Sequence, residues 1–259
     1  MTGIAILQLQ AAHSEVQDTL PRILQALEDA GKAGAALLVA PELATTGYGA
    51  GNVFAERAET VDGPSMRTLN AAVQRTGVAL VIGFAERADE VLYNSAAVLR
   101  PGEPPLVYRK AQLYGAYEKA CFAVPKVETV TTMVGGLRIG VLVCFDVEFP
   151  EHVRRLAEAG CDVVAAPTAL PDSPPSRYIA MNVVPVRAFE NQVFVAYADW
   201  AGSDARFGYA GLSCLAAPDG STLIRGPANG DFFGVADVDP PAFEEWRRAN
   251  PYLAELRRP

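Results

Sequence analysis

The chain has 259 residues, of which 50% are hydrophobic and 20% charged, and its formal net charge at pH 7 is −8. These values are typical of a globular protein with a sizeable core, arranged as one large domain or two small ones. An acidic surface repels phosphate backbones, which excludes nucleic acid as an expected partner. No apolar run reaches the roughly eighteen residues that a membrane span needs. The first ten residues lack the basic region of a signal peptide.

The four cysteines lack the spacing of a disulfide framework: Cys121, Cys144, Cys161 and Cys214. In a chain of this length they are expected to be reduced thiols, which predicts a cytoplasmic protein. The two histidines, His13 and His152, lie far apart, and neither a C-x-x-C nor an H-E-x-x-H motif is present. No structural or catalytic metal site is therefore predicted.

The first half of the chain predicts strands separated by helices. A strand over 3–10 precedes a helix over 18–32, in which apolar residues recur at helical spacing. The fully apolar run ALLVA (36–40) is typical of a strand buried on both faces. A helix over 64–76, strands over 78–85 and 92–99, a Pro/Gly-rich turn and a strand over 106–110 are expected to follow.

The second half repeats part of this pattern. The predicted elements are a strand over 137–146, a helix over 150–159, a strand over 161–168, a helix over 176–191, a strand over 193–200, an Asp-Gly hairpin around 218–221 and a last strand over 232–239. The strand–helix–strand units in 3–40 and 137–168 match in order and length. This echo indicates two sheets in a pseudo-symmetric sandwich with helices on the outer faces.

Glu42 and Cys144 lie at the carboxyl ends of predicted strands, where α/β sheets place their chemistry. A lone strand-end cysteine is often only a buried small hydrophobic residue. At a strand-to-helix turn, however, unpaired backbone N–H groups can bind an anion. Phe145 offers such an N–H to an oxyanion formed at a Cys144 nucleophile. Both readings of Cys144 stay open at this point.

Two charged residues follow apolar strands. Glu42 stands directly after ALLVAP, where a carboxylate either pairs with a cation or has a raised pKa that suits a general base. The alternative is a helix cap or a solvated loop residue. Lys110 ends the LVYRK strand, and its alternative is an ordinary surface lysine.

Three motifs together resemble the signatures of the nitrilase superfamily of carbon–nitrogen hydrolases. They are PELATTGY (41–48), YRKAQLYG (108–115) and GVLVCFDVEFPE (140–151), and they stand in the order typical of that family. The resemblance extends from residue 4 to about residue 238. The tail NPYLAELR (250–257) looks like the end of amidases that act on 5-aminopentanamide or on amino-acid amides.

The resemblance implies a four-layer α-β-β-α sandwich of the α/β class. It implies one carbon–nitrogen hydrolase domain over residues 1–259, with its core over about 4–238 and a tail over 239–259. Glu42 is then the general base and acid, Lys110 the oxyanion stabiliser and Cys144 the nucleophile. Glu118 corresponds to a second glutamate that holds the lysine and orients the amide. Its alternative is a surface residue paired with Lys119 or Arg109.

The expected reaction is hydrolysis of a small aliphatic or amino-acid-type amide to carboxylate and ammonia through a Cys144 thioester. Neither a metal nor an organic cofactor has a task in this scheme. The resemblance also implies a homodimer or a higher homo-oligomer. The expected partners are therefore the amide and further copies of the chain.

Three residues are candidates for binding substrate. Glu148 lies near the point where some relatives have an arginine that grips a carboxylate, so we expect Glu148 to favour a substrate with a cationic or neutral tail. The alternative is that Glu148 only pairs with a nearby arginine. Tyr48 and Trp200 are candidates for the pocket wall, and each has an equally good interpretation as a core residue.

Other functions stay open at this stage. A nitrilase or an N-carbamoyl amine hydrolase would use the same scaffold, although nitrilases usually carry Trp-Glu where this chain has Phe145 and Asp146. A non-catalytic binding subunit is an alternative of a different class. A Cys-His hydrolase would need His152 or His13 as its base.

Overall fold

The computed structural model describes residues 1–13 and 15–257, which form two β-sheets with helices around them. Its strands are β1 (Thr2–Gln10), β2 (Ala35–Val39), β3 (Ala79–Ala88), β4 (Val91–Arg100), β5 (Glu103–Arg109), β6 (Thr131–Val134), β7 (Leu137–Val141), β8 (Val163–Pro167), β9 (Phe194–Ala198), β10 (Trp200–Ser203), β11 (Gly208–Ala210), β12 (Cys214–Ala216), β13 (Thr222–Arg225) and β14 (Phe232–Val238). Its α-helices are α1 (Val16–Lys32), α2 (Phe54–Arg57), α3 (Pro64–Thr76), α4 (Gly115–Cys121), α5 (Pro150–Glu158), α6 (Ser176–Tyr178), α7 (Val184–Asn191), α8 (Glu244–Ala249) and α9 (Tyr252–Glu255).

The first sheet has eight strands in the order β11-β10-β1-β2-β3-β4-β5, with β14 also paired to β1. The second has six, in the order β13-β12-β9-β8-β7-β6. The unit β1-α1-β2 belongs to the first sheet and β7-α5-β8 to the second, and each unit pairs its two strands in parallel. The internal echo in the sequence therefore predicted the two-sheet arrangement correctly.

Side chains on the strands alternate between two buried layers. In β1, Ile4 and Ile6 face the interior between the sheets, whereas Ala5 and Leu7 belong to the cluster formed with α1 and α3. Since successive strand residues point to opposite faces, a fully apolar strand is stable only when both faces are covered. On the second sheet, α5 and α7 supply the outer cover. The α-β-β-α sandwich is confirmed.

The strand predicted over 137–146 is shorter in the structure. It ends at Val141, and a 3-10 helix occupies Cys144–Glu148. Cys144 has a φ of 46°, which is incompatible with an extended strand. The carboxylate of Asp146 accepts the Val143 N–H at 3.1 Å and so replaces a strand hydrogen bond.

The helix predicted over 176–191 contains a π-helical segment. The structure has α6, then a π turn over Ile179–Val183, then α7. Pro185 stands in the first turn of α7 and cannot donate a backbone hydrogen bond. Its ring also crowds the carbonyl four residues earlier, and a π turn is one way to relieve that clash.

The predicted strand over 193–200 is divided between the sheets. β9 belongs to the second sheet, whereas β10 pairs in parallel with β1 of the first. The hairpin predicted around the Asp-Gly sequence is present between β12 and β13. Within residues 1–13 and 15–257, no helix is long and apolar enough to cross a membrane.

Candidate active site

Glu42 lies just beyond β2, in a backbone position fixed from two sides. Its N–H donates to the Thr168 carbonyl at 3.2 Å, and its own carbonyl accepts the Trp200 indole N–H at 2.7 Å. A Cβ atom at Gly83 would lie 2.4 Å from the Glu42 Cα, so this close approach requires glycine. The Glu42 side chain is fully buried and is neither a helix cap nor a solvated loop residue.

Lys110 lies one residue beyond β5, also fully buried. Its N–H donates to the Asn94 carbonyl at 2.8 Å. Its Nζ donates to Glu42 Oε1 and to Glu118 Oε1, both at 2.7 Å. A buried ammonium is stable only when it is paired and hydrogen-bonded, and these two carboxylates meet that need. The surface-lysine interpretation is wrong.

Glu118 projects from α4 and is also fully buried. Its Oε1 accepts the Tyr48 hydroxyl at 2.8 Å in addition to the lysine, and its Oε2 accepts the Tyr114 N–H at 3.0 Å. The alternative of a surface pair with Lys119 or Arg109 is wrong. Arg109 instead forms a bidentate pair with Glu86.

Two residues with a role in this cluster were not predicted for that role. Asn94 donates its side-chain N–H to Glu42 Oε1 at 2.7 Å, and Tyr114 supplies the N–H to Glu118 described above. Asn94, with Ser95 beside it, is polar in the middle of a largely apolar β4, which is a signal that sequence reasoning can use, because buried amides need partners. Tyr114 contributes a backbone group and leaves no such signal.

Cys144 begins the 3-10 helix after β7 and is 5% exposed. Its left-handed backbone is costly for a residue with a side chain, and such strain is concentrated at functional sites. A backbone hydrogen bond from Ala169, just beyond β8, lowers the pKa of Cys144. Phe145 follows in the same turn, in the place expected for an oxyanion donor.

The charges of the cluster act on the thiol. Burial, followed by the negative charge of Glu42, raises the pKa of Cys144 well above its usual value, while Lys110 lowers it. Burial raises the pKa of Glu42 to about 7, against the opposing effect of Lys110. The pKa of Lys110 is held well above its usual value: burial lowers it, but Glu118 and Glu42 outweigh that effect. A carboxylate with a pKa near 7 therefore acts on a thiol whose pKa is raised, a combination that suits a general base and its nucleophile.

One oxygen of Glu42 is not engaged. Glu42 Oε1 accepts from both Lys110 and Asn94, whereas the buried Oε2 has no hydrogen-bond partner among the described residues. An unpartnered buried carboxylate oxygen is costly, and each such atom in a native structure calls for an explanation. The arrangement leaves Oε2 available to accept a proton.

A cavity of about 250 Å³ opens onto Cys144. Most of its wall is apolar, and the lining residues are Tyr114, Cys144, Phe145, Glu148, Leu170, Pro171, Ser173, Pro175 and Ile179. This combination of an apolar wall and few polar groups is typical of a small-molecule site. Glu148 supplies the carboxylate of this wall.

The three candidates for substrate binding have different positions. Glu148 lines the cavity, and its carboxylate forms no ion pair within the described chain. Arg187 instead pairs with Glu190 and donates to the backbone carbonyl of Glu148 at 2.6 Å. Tyr48 and Trp200 are buried and donate to Glu118 and to the Glu42 carbonyl; neither lines this cavity, and their contact with substrate stays a prediction.

The position of His152 does not support a Cys-His hydrolase. His152 contacts Gln112 at 3.2 Å and Arg155 at 3.0 Å, not Cys144. Burial, followed by the charge of Arg155, lowers the pKa of His152. His13 ends a short 3-10 turn, and its side chain lies outside the described part of the structure. The described residues contain no group of three or more His, Cys, Asp or Glu side chains arranged for a metal ion.

Known proteins are similar over nearly the whole chain. The family model described as carbon-nitrogen hydrolase matches residues 3–248. A protein from Pseudomonas protegens named "Hydrolase in pqqF 5'region" is 34% identical over 257 residues, 98% of this chain and 88% of the relative. An (R)-stereoselective amidase from Pseudomonas sp. is 32% identical over 98% of this chain and 91% of its own length.

Solved structures agree with this assignment. The crystal structure of an amidase from Nesterenkonia sp. has a TM-score of 0.86 and 30% identity, covering 99% of this chain and 93% of that one. In a mutant of the amidase from Nesterenkonia sp. AN1 (TM-score 0.83, 30% identity, 99% and 100% coverage), acrylamide is added at the active-site cysteine. The chain thus belongs to the carbon–nitrogen hydrolase family of the nitrilase superfamily and is an enzyme of that family.

Proposed function

We propose that this enzyme hydrolyses a small amide to a carboxylate and ammonia through a thioester on Cys144. The observation that carries the proposal is the buried cluster of Glu42, Lys110 and Glu118, whose charges all act on a thiol at the end of an apolar cavity. The positive charge that acts on Cys144 is that of the buried Lys110, whereas the positive charges that act on Cys121, Cys161 and Cys214 belong to arginines. The other three, Cys121, Cys161 and Cys214, are free thiols.

The first half of the reaction forms the thioester. Cys144 Sγ attacks the amide carbon while Glu42 Oε2 accepts the thiol proton, because a thiol with a raised pKa cannot ionise ahead of attack. The carbonyl oxygen becomes an oxyanion, and Lys110 Nζ and the Phe145 N–H are its proposed donors. The C–N bond then breaks, and Glu42 returns the proton to the departing ammonia.

The second half releases the acid. A water molecule gives a proton to Glu42, and its oxygen attacks the thioester carbon. The same donors stabilise the second oxyanion, the C–S bond breaks and Cys144 recovers its proton. Glu118 keeps Lys110 charged and in place, through the 2.7 Å hydrogen bond to its Nζ. Each group thus has the same task in both halves.

Glu148 supports a narrower proposal about the substrate. An unpaired carboxylate in an apolar wall attracts a cation and repels an anion. Burial raises the pKa of Glu148, and Lys110 and then Arg187 oppose this. We therefore propose that the substrate is an amide with an ω-amino or α-amino group, or with a neutral tail. Monoamides of dicarboxylic acids should be poor substrates.

Ammonia release from butyramide and 5-aminopentanamide tests the main proposal. We expect the parent protein to release ammonia from at least one of them and Cys144→Ala to release none above background. Carbon dioxide formed from an N-carbamoyl amine would favour the carbamoyl hydrolase, and turnover of butyronitrile without amide turnover would favour the nitrilase. A parent protein inactive on all three classes would favour a non-catalytic binding subunit.

A further inference from the structure

Asp146 is a buried carboxylate to which the reaction above assigns no role. It is fully buried and does not line the cavity at Cys144. Its two oxygens nevertheless accept three hydrogen bonds, and the three donors come from the two chain segments that carry Cys144 and Lys110. Burying a carboxylate costs free energy unless it is hydrogen-bonded, and these three donors supply the hydrogen bonds.

One part of this network is a pair of hydrogen bonds between Asp146 and Val143, which closes a ring that contains Cys144. Asp146 Oδ2 accepts the Val143 N–H at 3.1 Å, and the Asp146 N–H donates to the Val143 carbonyl, also at 3.1 Å. Cys144 lies inside this ring with its left-handed φ of 46°. A strained conformation persists only where its surroundings fix it, and the reciprocal pair of hydrogen bonds does so here.

The other part of the network brackets Lys110. Asp146 Oδ2 also accepts the Tyr108 hydroxyl at 2.9 Å, and Oδ1 accepts the Gln112 N–H at 2.8 Å. These donors stand two residues before and two residues after Lys110. The lysine segment is therefore attached on both sides to the turn that carries the thiol, although the segments belong to different sheets.

We infer that Asp146 is a positioning residue that fixes the thiol of Cys144 relative to the ammonium of Lys110. The inference rests on the proposed function, since it assigns Asp146 to the geometry of that reaction. A carboxylate suits this task because all three partners are donors. A carboxamide of the same size offers one oxygen and one NH₂ group, and the NH₂ group would face at least one N–H or O–H donor.

The main test compares Asp146→Asn with Glu86→Gln. Glu86 is also buried and also accepts three hydrogen bonds, two from Arg109, the neighbour of Lys110, and one from Ser95. It therefore holds the lysine segment without any link to the turn of Cys144, and the comparison isolates that link. Both variants are expected to lower the melting temperature. Only Asp146→Asn is expected to lower kcat on the best amide, by about 10²-fold with KM within about threefold, as a displacement near 1 Å can do.

A second readout needs no substrate. Alkylation of Cys144 by iodoacetamide, followed by peptide mass spectrometry, reports the reactivity of the thiol beside its base. We expect the alkylation rate to fall about tenfold in Asp146→Asn and to be unchanged in Glu86→Gln, because a base displaced from the thiol no longer assists its ionisation. If the parent protein has no amidase activity, the proposed function fails while this readout still tests the inference.

Two results would overturn the inference. One is an Asp146→Asn protein that is folded, by circular dichroism, with kcat and the alkylation rate within about threefold of the parent. The second result comes from another variant, which is needed if Asp146→Asn does not fold. Tyr108→Phe then serves instead, because it keeps the carboxylate and removes one donor beside Lys110. Its kcat should fall about fivefold with KM unchanged, and an unchanged kcat would contradict the positioning role.

Discussion

The buried charged cluster and the cavity in front of it are built on opposite principles. In the cluster, Glu42, Lys110 and Glu118 are fully buried, and each of the two carboxylates accepts a hydrogen bond from the Lys110 ammonium at 2.7 Å. In the cavity wall, Glu148 is only partly buried and has no ionic partner in the described chain. The cluster satisfies its charges internally, whereas the wall presents a charge to whatever enters.

We therefore expect the cluster to determine the rate of the chemical steps and the cavity wall to determine which amide is preferred. A change in the cluster leaves a buried charge without its partner, so it should affect every amide in the same proportion. A change in the wall alters only contacts with the variable part of the substrate. Substitutions in the cluster and in the wall should therefore have different effects on kcat and on substrate preference.

Removal of the nucleophile should have the largest effect. Cys144→Ala is expected to lower kcat by about 10⁵-fold or more on every amide, because loss of a nucleophile removes the covalent route. Ammonia release at saturating substrate measures this. Cys214→Ala is the matched control, since Cys214 is a fully buried thiol in β12. Equal losses in both variants would show that damage to the core, not to the reaction, is responsible.

Loss of the second glutamate should have the next largest effect. Glu118→Gln leaves Lys110 with a single carboxylate partner, and we expect kcat to fall by about 10²- to 10³-fold, as for a lost oxyanion donor. The exposed neighbour Lys119→Gln is the control and should keep parental kcat. A Glu118→Gln enzyme with kcat within a few-fold of the parent would separate Glu118 from the reaction.

The pH dependence of kcat/KM should report the pKa of Glu42, the proposed base. Since the pKa of Glu42 is about 7 and its ionised form accepts the thiol proton, kcat/KM should rise with pH and level off above about pH 7. The Asn94 hydrogen bond lowers this pKa, so Asn94→Ala should move the rise to higher pH by roughly half a pH unit. A rise that stays in place, or one that moves to lower pH, would argue against Glu42 as the group observed.

The cavity wall should give the smallest and most selective effect. Glu148→Gln is expected to lower the ratio of kcat/KM for 5-aminopentanamide over that for pentanamide by about tenfold, which is the loss of one charge-assisted contact. The value for pentanamide itself should change little. Glu151→Gln, an exposed residue of α5, is the control. A parent enzyme that prefers glutaramate would contradict the assigned role of Glu148.

Much of the fold was predictable because its signals are local. Both strand–helix–strand units and the Asp-Gly hairpin follow from apolar periodicity and turn residues. The end of β7 was not predictable, because the left-handed backbone of Cys144 and the hydrogen bond from Val143 to Asp146 do not affect the hydrophobic pattern of the sequence. The crossing from β9 to β10 was missed for a similar reason: both strands are apolar, and the pattern does not say which sheet each joins.

The candidate site was also predictable only in part. Glu42, Lys110, Glu118 and Cys144 were identified by motif, and the structure brings the first three into direct contact. A role of Tyr48 and Trp200 in substrate binding stays a prediction, because an aromatic residue near a reacting group can either line a pocket or pack behind it, and sequence does not distinguish the two. The homo-oligomer, the cytoplasmic location and the single domain over residues 1–259 stay predictions.

The most direct test of the central claim is the mass of the Cys144 peptide during turnover. The enzyme is mixed with butyramide, quenched with acid within the first turnovers, digested and analysed by mass spectrometry. We expect a butyryl group on Cys144 that forms with the first release of ammonia and disappears when substrate is exhausted. Steady release of ammonia by an enzyme whose acyl group lies on another residue, or by Cys144→Ala at the parental rate, would contradict it.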